Sequence, residues 1–187
     1  MEYKIVRSDR KSVSIQVKKG EVTVRAPFCV GDKEIKRIVE ENREWIEKRL
    51  LIFEEAKNAV RKDGMLGEEE IRLLAQKALE YIPGRAAYYA DIIGVKYNGI
   101  TIRNQRTKWG SCSSKGNLNF NCLLMLTPPE VIDSIVVHEL CHLKEMNHSK
   151  KFYDEVLKAF PDYYKWNDWL KKNGPAIMMR MTGNIYE

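Results

Sequence analysis

The sequence has no run of eighteen apolar residues, and its start, Met1-Glu2-Tyr3-Lys4, lacks the apolar segment of a signal peptide. Its four cysteines form no CxxC pair, so neither a zinc knuckle nor a thioredoxin-like motif is indicated. Histidine is also scarce, with three in 187 residues. A 44% hydrophobic fraction is enough for a substantial core. We therefore expect a cytoplasmic globular protein with reduced thiols.

All three histidines lie within eleven consecutive positions, as H-E-x-x-H followed after five residues by a third histidine. Residues four apart share one face of an α-helix, so His138 and His142 can direct two imidazoles at one point. A catalytic zinc ion usually has three protein ligands and one open position. The pattern predicts one Zn²⁺ per chain, with His148 as the third ligand. Glu139 lies one step round the helix, where its carboxylate reaches the water that the metal activates, and is predicted to be the general base.

The third ligand has two competitors on the following helix. Asp154 or Glu155 would serve as a carboxylate ligand in zincins of the His-His-Glu type. We favour His148, because Asn147 can adopt the left-handed conformation that ends a helix and turns the next residue back.

Charge is distributed unevenly along the chain, which has a net charge of +6. Residues 1–30 contain seven Lys or Arg and three acids, and residues 95–129 contain five Lys or Arg and no acid. Basic stretches of this kind attract nucleic acid, nucleotides or acidic peptides, although they also occur on ordinary solvated surfaces.

Strands and helices are predicted in two groups. Three alternating segments within residues 4–26 indicate strands, with Lys19-Gly20 as a hairpin turn, and residues 32–62 have the spacing of one long helix. A helix from Glu68 is interrupted or kinked at Pro83, and strands are predicted within residues 98–125. The boundary near Gly64 divides the chain into residues 1–63 and 64–187.

The histidine helix is predicted to begin with a capping box formed by Thr127 and Glu130, and to run to about Glu145. A last helix through Tyr163 is predicted to end at Asn173-Gly174-Pro175, and the methionine-containing tail shows no evident structure.

The histidine spacing also matches the metzincin signature, but Glu145 occupies the position where that family has glycine. A closer resemblance rests on Arg106-Thr107-Lys108-Trp109-Gly110-Ser111-Cys112-Ser113, on Thr127-Pro128-Pro129-Glu130 and on the histidine segment with Asn147-His148-Ser149 and Phe152. These motifs resemble the YgjP-like metallopeptidase-domain family, relatives of the SprT-like zinc proteases. The N-terminal strands, including Arg10-Lys11-Ser12, resemble that family as well.

The resemblance implies a metal-dependent hydrolase with His138, His142 and His148 as zinc ligands and Glu139 as the catalytic residue. The expected fold is α+β, with a zincin-like core whose H-E-x-x-H helix packs on a small, mostly antiparallel sheet, preceded by an N-terminal β-hairpin region and long helices. Zincins hold an extended substrate against an edge strand near the metal. Candidate substrate residues are therefore Trp109, Gly110, Ser111 and Cys112 as a cleft wall, although Trp109 and Cys112 also suit an ordinary core. Arg106 and Tyr153 are candidate oxyanion stabilisers.

Three functions remain open from the sequence. The first is a zinc metallopeptidase acting on a peptide or protein substrate. The second is a phosphoanhydride hydrolase acting on a nucleotide, for which residues 95–129 offer cations. The third is a nucleic-acid-associated, SprT-like protease whose binding weakens as salt rises.

Overall fold

The computed structural model describes residues 1–181, which form two compact units. Met1–Gly64 form the first, and the second begins at Met65 and continues to the end of the described residues. The fold is mixed α+β, with two small sheets and six α-helices among the described residues. No helix in residues 1–181 has the length and apolarity needed to span a membrane.

The first unit packs two helices against one face of a three-stranded sheet. Its elements are β1 (Lys4–Ser8), β2 (Ser14–Lys18), β3 (Glu21–Pro27), α1 (Asp32–Glu41) and α2 (Arg43–Asp63). The strand order is β1-β3-β2, with β1 parallel and β2 antiparallel to β3. The predicted β2–β3 hairpin is confirmed, and both Lys19 and Gly20 adopt the positive φ that a tight hairpin turn requires.

The single long helix predicted over residues 32–62 is wrong, because the chain breaks at Asn42. The side-chain amide of Asn42 donates a hydrogen bond to the carbonyl oxygen of Ile38 at 2.8 Å, and its backbone leaves the helical region at φ −105° and ψ 11°. Asparagine competes in this way with regular helix hydrogen bonding. The buried stripe nevertheless continues through Ile35, Val39 and Ile46, which pack with Val22 and Val24 of β3.

The second unit contains a long helix, a second three-stranded sheet and three further helices. Its elements are α3 (Glu68–Ile93), β4 (Gly99–Arg103), β5 (Gly110–Cys112), β6 (Asn117–Asn121), a short 3₁₀ helix (Cys122–Leu126), α4 (Pro129–Cys141), α5 (Lys150–Ala159) and α6 (Tyr163–Met181). The large core of this unit includes Ile82 of α3, Phe120 of β6, Leu140 of α4 and Phe152 of α5. Arg85 of α3 binds both carboxylate oxygens of Asp133 of α4 at 2.7 Å, which ties these two helices together.

The second sheet is mixed, which corrects the expectation of a mostly antiparallel sheet. The strand order is β4-β6-β5, and β4 pairs with β6 in parallel while β5 pairs with β6 in antiparallel orientation. The thirteen residues between β4 and β6 are long enough to cross over, and they also supply β5 at the free edge.

Two helix boundaries differ from prediction. Thr127 forms no capping box, because its hydroxyl donates to the carbonyl oxygen of Leu124 and α4 begins at Pro129 without a side-chain cap. Helix α6 does not end at Gly174 and Pro175 but continues to Met181. Gly174 is buried, and a Cβ atom placed there would lie 3.1 Å from the indole of Trp109. A small residue is therefore needed for α6 to pack against this ring.

Helix α3 likewise continues through Pro83, so the predicted interruption at that residue is wrong. The predicted C-terminal cap at Gly94 is confirmed, with φ 75° and ψ 44°.

Candidate metal centre

Helix α4 brings two histidines to one point, as their spacing predicts. His138 Nε2 lies 3.2 Å from His142 Nε2. Helix α4 ends at Cys141, four residues before the predicted end near Glu145, and the chain then turns through residues 142–144. Because the helix ends early, the chain can return, and His148 Nε2 comes to 3.1 Å from His138 Nε2.

The geometry of the three imidazoles fits a divalent metal ion. Each histidine offers one nitrogen, and the three nitrogens lie within 4.8 Å of one another. Three ligands about 2.0–2.1 Å from a tetrahedral zinc ion would be about 3.3–3.4 Å apart. The two Nε2 separations of 3.2 Å and 3.1 Å are close to this spacing.

The hydrogen bonds of the other ring nitrogens fit a metal as well. Nδ1 of His142 lies 3.2 Å from the carbonyl oxygen of Glu145. A carbonyl only accepts, so Nδ1 carries the proton and Nε2 turns a lone pair toward Nε2 of His138. Nδ1 of His138 lies 2.9 Å from the hydroxyl of Tyr163. Lone pairs that converge in this way are stabilised by a cation between them.

The surroundings of His138 and His142 favour the neutral form of these two imidazoles, which is the form that binds a metal. Burial, together with the neighbouring His142 and His148, lowers the pKa of His138 to about 3. Burial also lowers the pKa of His142. The ring of Phe152 lies within 5 Å of all three imidazoles, centroid to centroid, and forms the apolar floor of the cluster.

Neither carboxylate that competed for the role of third ligand belongs to this histidine group. Glu155 binds the ammonium of Lys144, and this ion pair lowers the pKa of the Glu155 carboxyl. Asp154 is exposed. Among residues 1–181, Lys19 is the only non-glycine residue with a positive φ. Asn147 therefore does not have the left-handed conformation that was the reason for choosing His148.

Glu139 is buried next to the cluster and lies against the edge strand β5. A Cβ atom on Gly110 would lie 2.7 Å from Glu139 Oε1, so the carboxylate occupies space that only glycine leaves free. Burial raises the pKa of Glu139 to about 7, while Lys108 and a backbone hydrogen bond from Cys112 oppose the increase. A carboxyl group with this pKa can accept and return a proton near neutral pH.

A pocket of about 280 Å³ opens beside His138 and Glu139. It is bounded by residues of β5, α4 and α6 and the segment before β5, namely Lys108, Trp109, Gly110, Ile135, His138, Glu139, Tyr163, Asn167, Leu170 and Lys171. Of the six candidate substrate residues, Trp109 and Gly110 line this pocket.

The other four candidate substrate residues lie outside the lining. Ser111 hydrogen-bonds to the amide of Asn119, and Cys112 touches the site through its backbone. Arg106 is exposed, and the ring of Tyr153 is tilted by 39° from that of His148, with ring centroids 6.2 Å apart.

Sequence reasoning did not identify the contribution of α6. The sequence predicts Tyr163 only as a residue of the last helix, yet its hydroxyl lies 2.9 Å from Nδ1 of His138, 25 residues away. Asn167 lies four residues after Tyr163 on the same helix, Leu170 and Lys171 lie three and four residues after Asn167, and all four line the pocket. Their spacing indicates that they share one face of the helix. It does not indicate which other element of the fold that face packs against.

Comparison with protein-family models gives a match over most of the chain. A family model described as YgjP-like, metallopeptidase domain, matches residues 11–77 and 65–173. The UTP pyrophosphatase of Escherichia coli (strain K12) is 29% identical over 85 residues, which cover 44% of this chain and 51% of that protein. The chain therefore spans about half the length of this curated relative.

Two crystal structures of metallopeptidase zymogens resemble part of the chain. Pyrococcus abyssi abylysin is 26% identical with a TM-score of 0.44, covering 49% of this chain and 93% of that one. Methanocaldococcus jannaschii jannalysin is 22% identical with a TM-score of 0.45, covering 49% of this chain and 95% of that one.

Proposed function

Because the chain belongs to the YgjP-like metallopeptidase-domain family, we propose that it is a zinc-dependent peptidase that uses Glu139 as its general base. The observation that carries the proposal is the convergence of three imidazole nitrogens, with the buried Glu139 lining the same pocket as His138. Membership of the family supports a hydrolase with a divalent metal. The proposal adds that the metal is zinc, that the substrate bond is a peptide bond and that Glu139 is the base.

His138, His142 and His148 would hold the metal through Nε2. When bound, zinc supplies Lewis-acid activation of a water molecule and polarises the carbonyl of the scissile bond. The Tyr163 hydroxyl and the Glu145 carbonyl would each accept a hydrogen bond from a ligand's Nδ1–H, which keeps both imidazoles in the tautomer that leaves Nε2 free.

Glu139 would move the protons. Its carboxylate takes a proton from the attacking water and delivers it to the amine that leaves when the peptide bond breaks. Packing against Gly110 and the backbone hydrogen bond from Cys112 hold the carboxylate in one orientation. A base that is already oriented needs little reorganisation in the transition state.

The pocket would receive a substrate side chain. Trp109, Ile135 and Leu170 provide apolar contact area, whereas Lys108 and Lys171 provide positive charge. Lys171 also forms an exposed ion pair with Asp168, so Lys108 is the cation more available to substrate. This composition suits a substrate with an apolar body and a negatively charged or carbonyl-rich end.

A second candidate is hydrolysis of a nucleotide phosphoanhydride. The similarity to the Escherichia coli UTP pyrophosphatase favours it, and so do the two lysines of the pocket. The same histidines and the same Glu139 would serve, with phosphate oxygens facing Lys108.

One experiment separates the two candidates. Zinc-loaded protein is incubated with a casein digest and with a nucleoside triphosphate panel, and the products are followed by mass spectrometry and by assays of phosphate and pyrophosphate release. Peptide cleavage that disappears with a chelator and in Glu139→Gln supports the peptidase. If the protein releases pyrophosphate from nucleotides and leaves the peptides intact, the second candidate is the correct function. If Glu139→Gln is as active as the wild type, Glu139 is not the general base.

A further inference from the structure

The outer face of the N-terminal sheet carries an unusual group of polar side chains. Val22, Val24 and Ala26 of β3 are buried in the core, so the alternate residues of that strand, including Arg25, point to the opposite face. Ser14 of β2 pairs directly with Arg25 and therefore shares this face. The outer face is accordingly polar where the inner face is apolar.

A pocket of about 580 Å³ lies on this face, at the end of the sheet where β1 finishes. It is lined by Ser8, Arg10, Ser14, Ile15, Gln16 and Arg25. No carboxylate is among these six residues, although Asp9 lies in the same loop. Two guanidinium groups thus share a pocket without a negative charge in its wall.

The arginines of the pocket have no ionic partner among residues 1–181. Nε of Arg10 is buried and has no hydrogen-bond acceptor, and a buried donor in this state costs free energy. Arg25 forms no side-chain hydrogen bond or ion pair with any described residue. By contrast, Arg7, Arg37 and Arg43 in the same unit each bind a carboxylate. The two pocket arginines are therefore available to an external anion.

We propose that Arg10 and Arg25 form a binding site for a phosphate group, carried by a nucleic acid strand or by a nucleotide. Guanidinium groups bind phosphate oxygens through two parallel N–H donors, and the two pocket arginines offer such donors without a carboxylate in the wall that competes for them. The hydroxyls of Ser8 and Ser14 and the amide of Gln16 add neutral donors beside them.

The surrounding charge favours the same ligand. Residues 1–30 carry seven Lys or Arg against three acids, so the potential around the pocket attracts polyanions. The pocket is formed wholly by the first unit, and the histidine cluster wholly by the second. The proposal therefore does not depend on which bond the metal centre hydrolyses.

The test measures binding of a fluorescein-labelled single-stranded oligonucleotide and of UTP to the full zinc-loaded chain. Arg10→Ala/Arg25→Ala should weaken binding of the phosphate carrier by about tenfold or more. The slope of log affinity against log salt should become shallower by about 0.7 for the single-stranded oligonucleotide, since one phosphate contact is lost. Loss of oligonucleotide binding alone identifies nucleic acid as the source, and loss of UTP binding alone identifies a nucleotide.

The matched control is Lys33→Ala/Lys36→Ala, which removes the same two charges from exposed positions of α1 in the same unit. The affinity of this variant for the oligonucleotide and for UTP should stay within about twofold of the wild-type value, because screened surface charges contribute little to binding. Zinc content and the circular dichroism spectrum verify folding, and the single variant Arg25→Ala, on an exposed sheet face, provides a milder change. Equal losses in the two double variants, or no binding of either probe by the wild type, would overturn the proposal.

Discussion

The hydroxyl oxygen of Tyr163 lies 2.9 Å from Nδ1 of His138, which connects the first turn of α6 to the proposed metal centre. Tyr163 is buried, and burial raises the pKa of its hydroxyl, so the group remains a neutral phenol at physiological pH. A neutral phenol can accept the Nδ1–H of His138 and hold the ring with Nε2 toward the metal. Tyr163 is therefore a positioning residue of the proposed site.

Removing that hydroxyl should weaken metal binding. Tyr163→Phe preserves the ring but deletes the acceptor, and we expect zinc affinity to fall by about tenfold or more. The measurement is competition with a chromogenic chelator. Tyr164→Phe is the control, because Tyr164 is adjacent and its side chain is largely exposed. Equal affinities of the two variants would show that the Tyr163 hydroxyl does not orient the ligand.

Adding a methyl group to the edge strand should displace the proposed base. In Gly110→Ala the new Cβ would lie 2.7 Å from Oε1 and 2.8 Å from Cγ of Glu139, closer than atoms can approach. The carboxylate must move, and we expect activity to fall by about tenfold or more, since small misplacements of a reacting group are costly. Zinc content should remain at the wild-type level, because the three atoms nearest the new Cβ all belong to Glu139.

Gly99→Ala is the matched control for that change. It adds the same methyl group to β4 of the same sheet, where the nearest atom would be Asn117 Oδ1 at an ordinary 3.7 Å. Steady-state kinetics measures the activity of both variants, and metal analysis measures their zinc content. Full activity of Gly110→Ala would mean that the orientation of Glu139 against β5 is unimportant for catalysis.

The third ligand can be tested by ranking two alanine variants. His148→Ala removes an imidazole whose Nε2 lies 3.1 Å from His138 Nε2, and zinc affinity should fall by about a hundredfold or more. Glu155→Ala removes only an ion pair with Lys144 and should leave affinity near wild type. Chelator titration of both variants provides the ranking, and the reverse order would indicate a site of the His-His-Glu type.

The ion pair between α3 and α4 should contribute strongly to stability. Asp133 accepts two hydrogen bonds from Arg85 at 2.7 Å and one contact from the Tyr89 hydroxyl at 3.2 Å. Asp133→Ala leaves these donors without a partner, and we expect a loss of about 2–3 kcal/mol in the free energy of unfolding. Urea unfolding at saturating zinc measures the change.

Asp168→Ala provides the comparison for that loss. Its carboxylate pairs with Lys171 on α6, and both side chains are mostly exposed. Exposed pairs contribute about 0–1 kcal/mol, so this variant should remain close to wild type. Similar losses in the two aspartate variants would show that the partly buried pair has no special importance.

The sequence by itself determined the local features of the metal centre. His138 and His142 share a helix face because four residues complete about one turn, and this relationship holds wherever the helix lies. Alternation along residues 22–26 likewise predicted one buried and one polar strand face, since successive side chains point to opposite sides. The α+β class follows from such local periods.

Only the tertiary structure decided the relationships between distant segments. The parallel pairing of β4 with β6 and the passage of α6 through Pro175 both depend on contacts that have no period in the sequence. The approach of Tyr163 to His138, and of Gly110 to Glu139, depends on how helices and the sheet pack. Packing selects one neighbour for each face among several of similar hydrophobicity, and for that reason these contacts could not be predicted from local patterns.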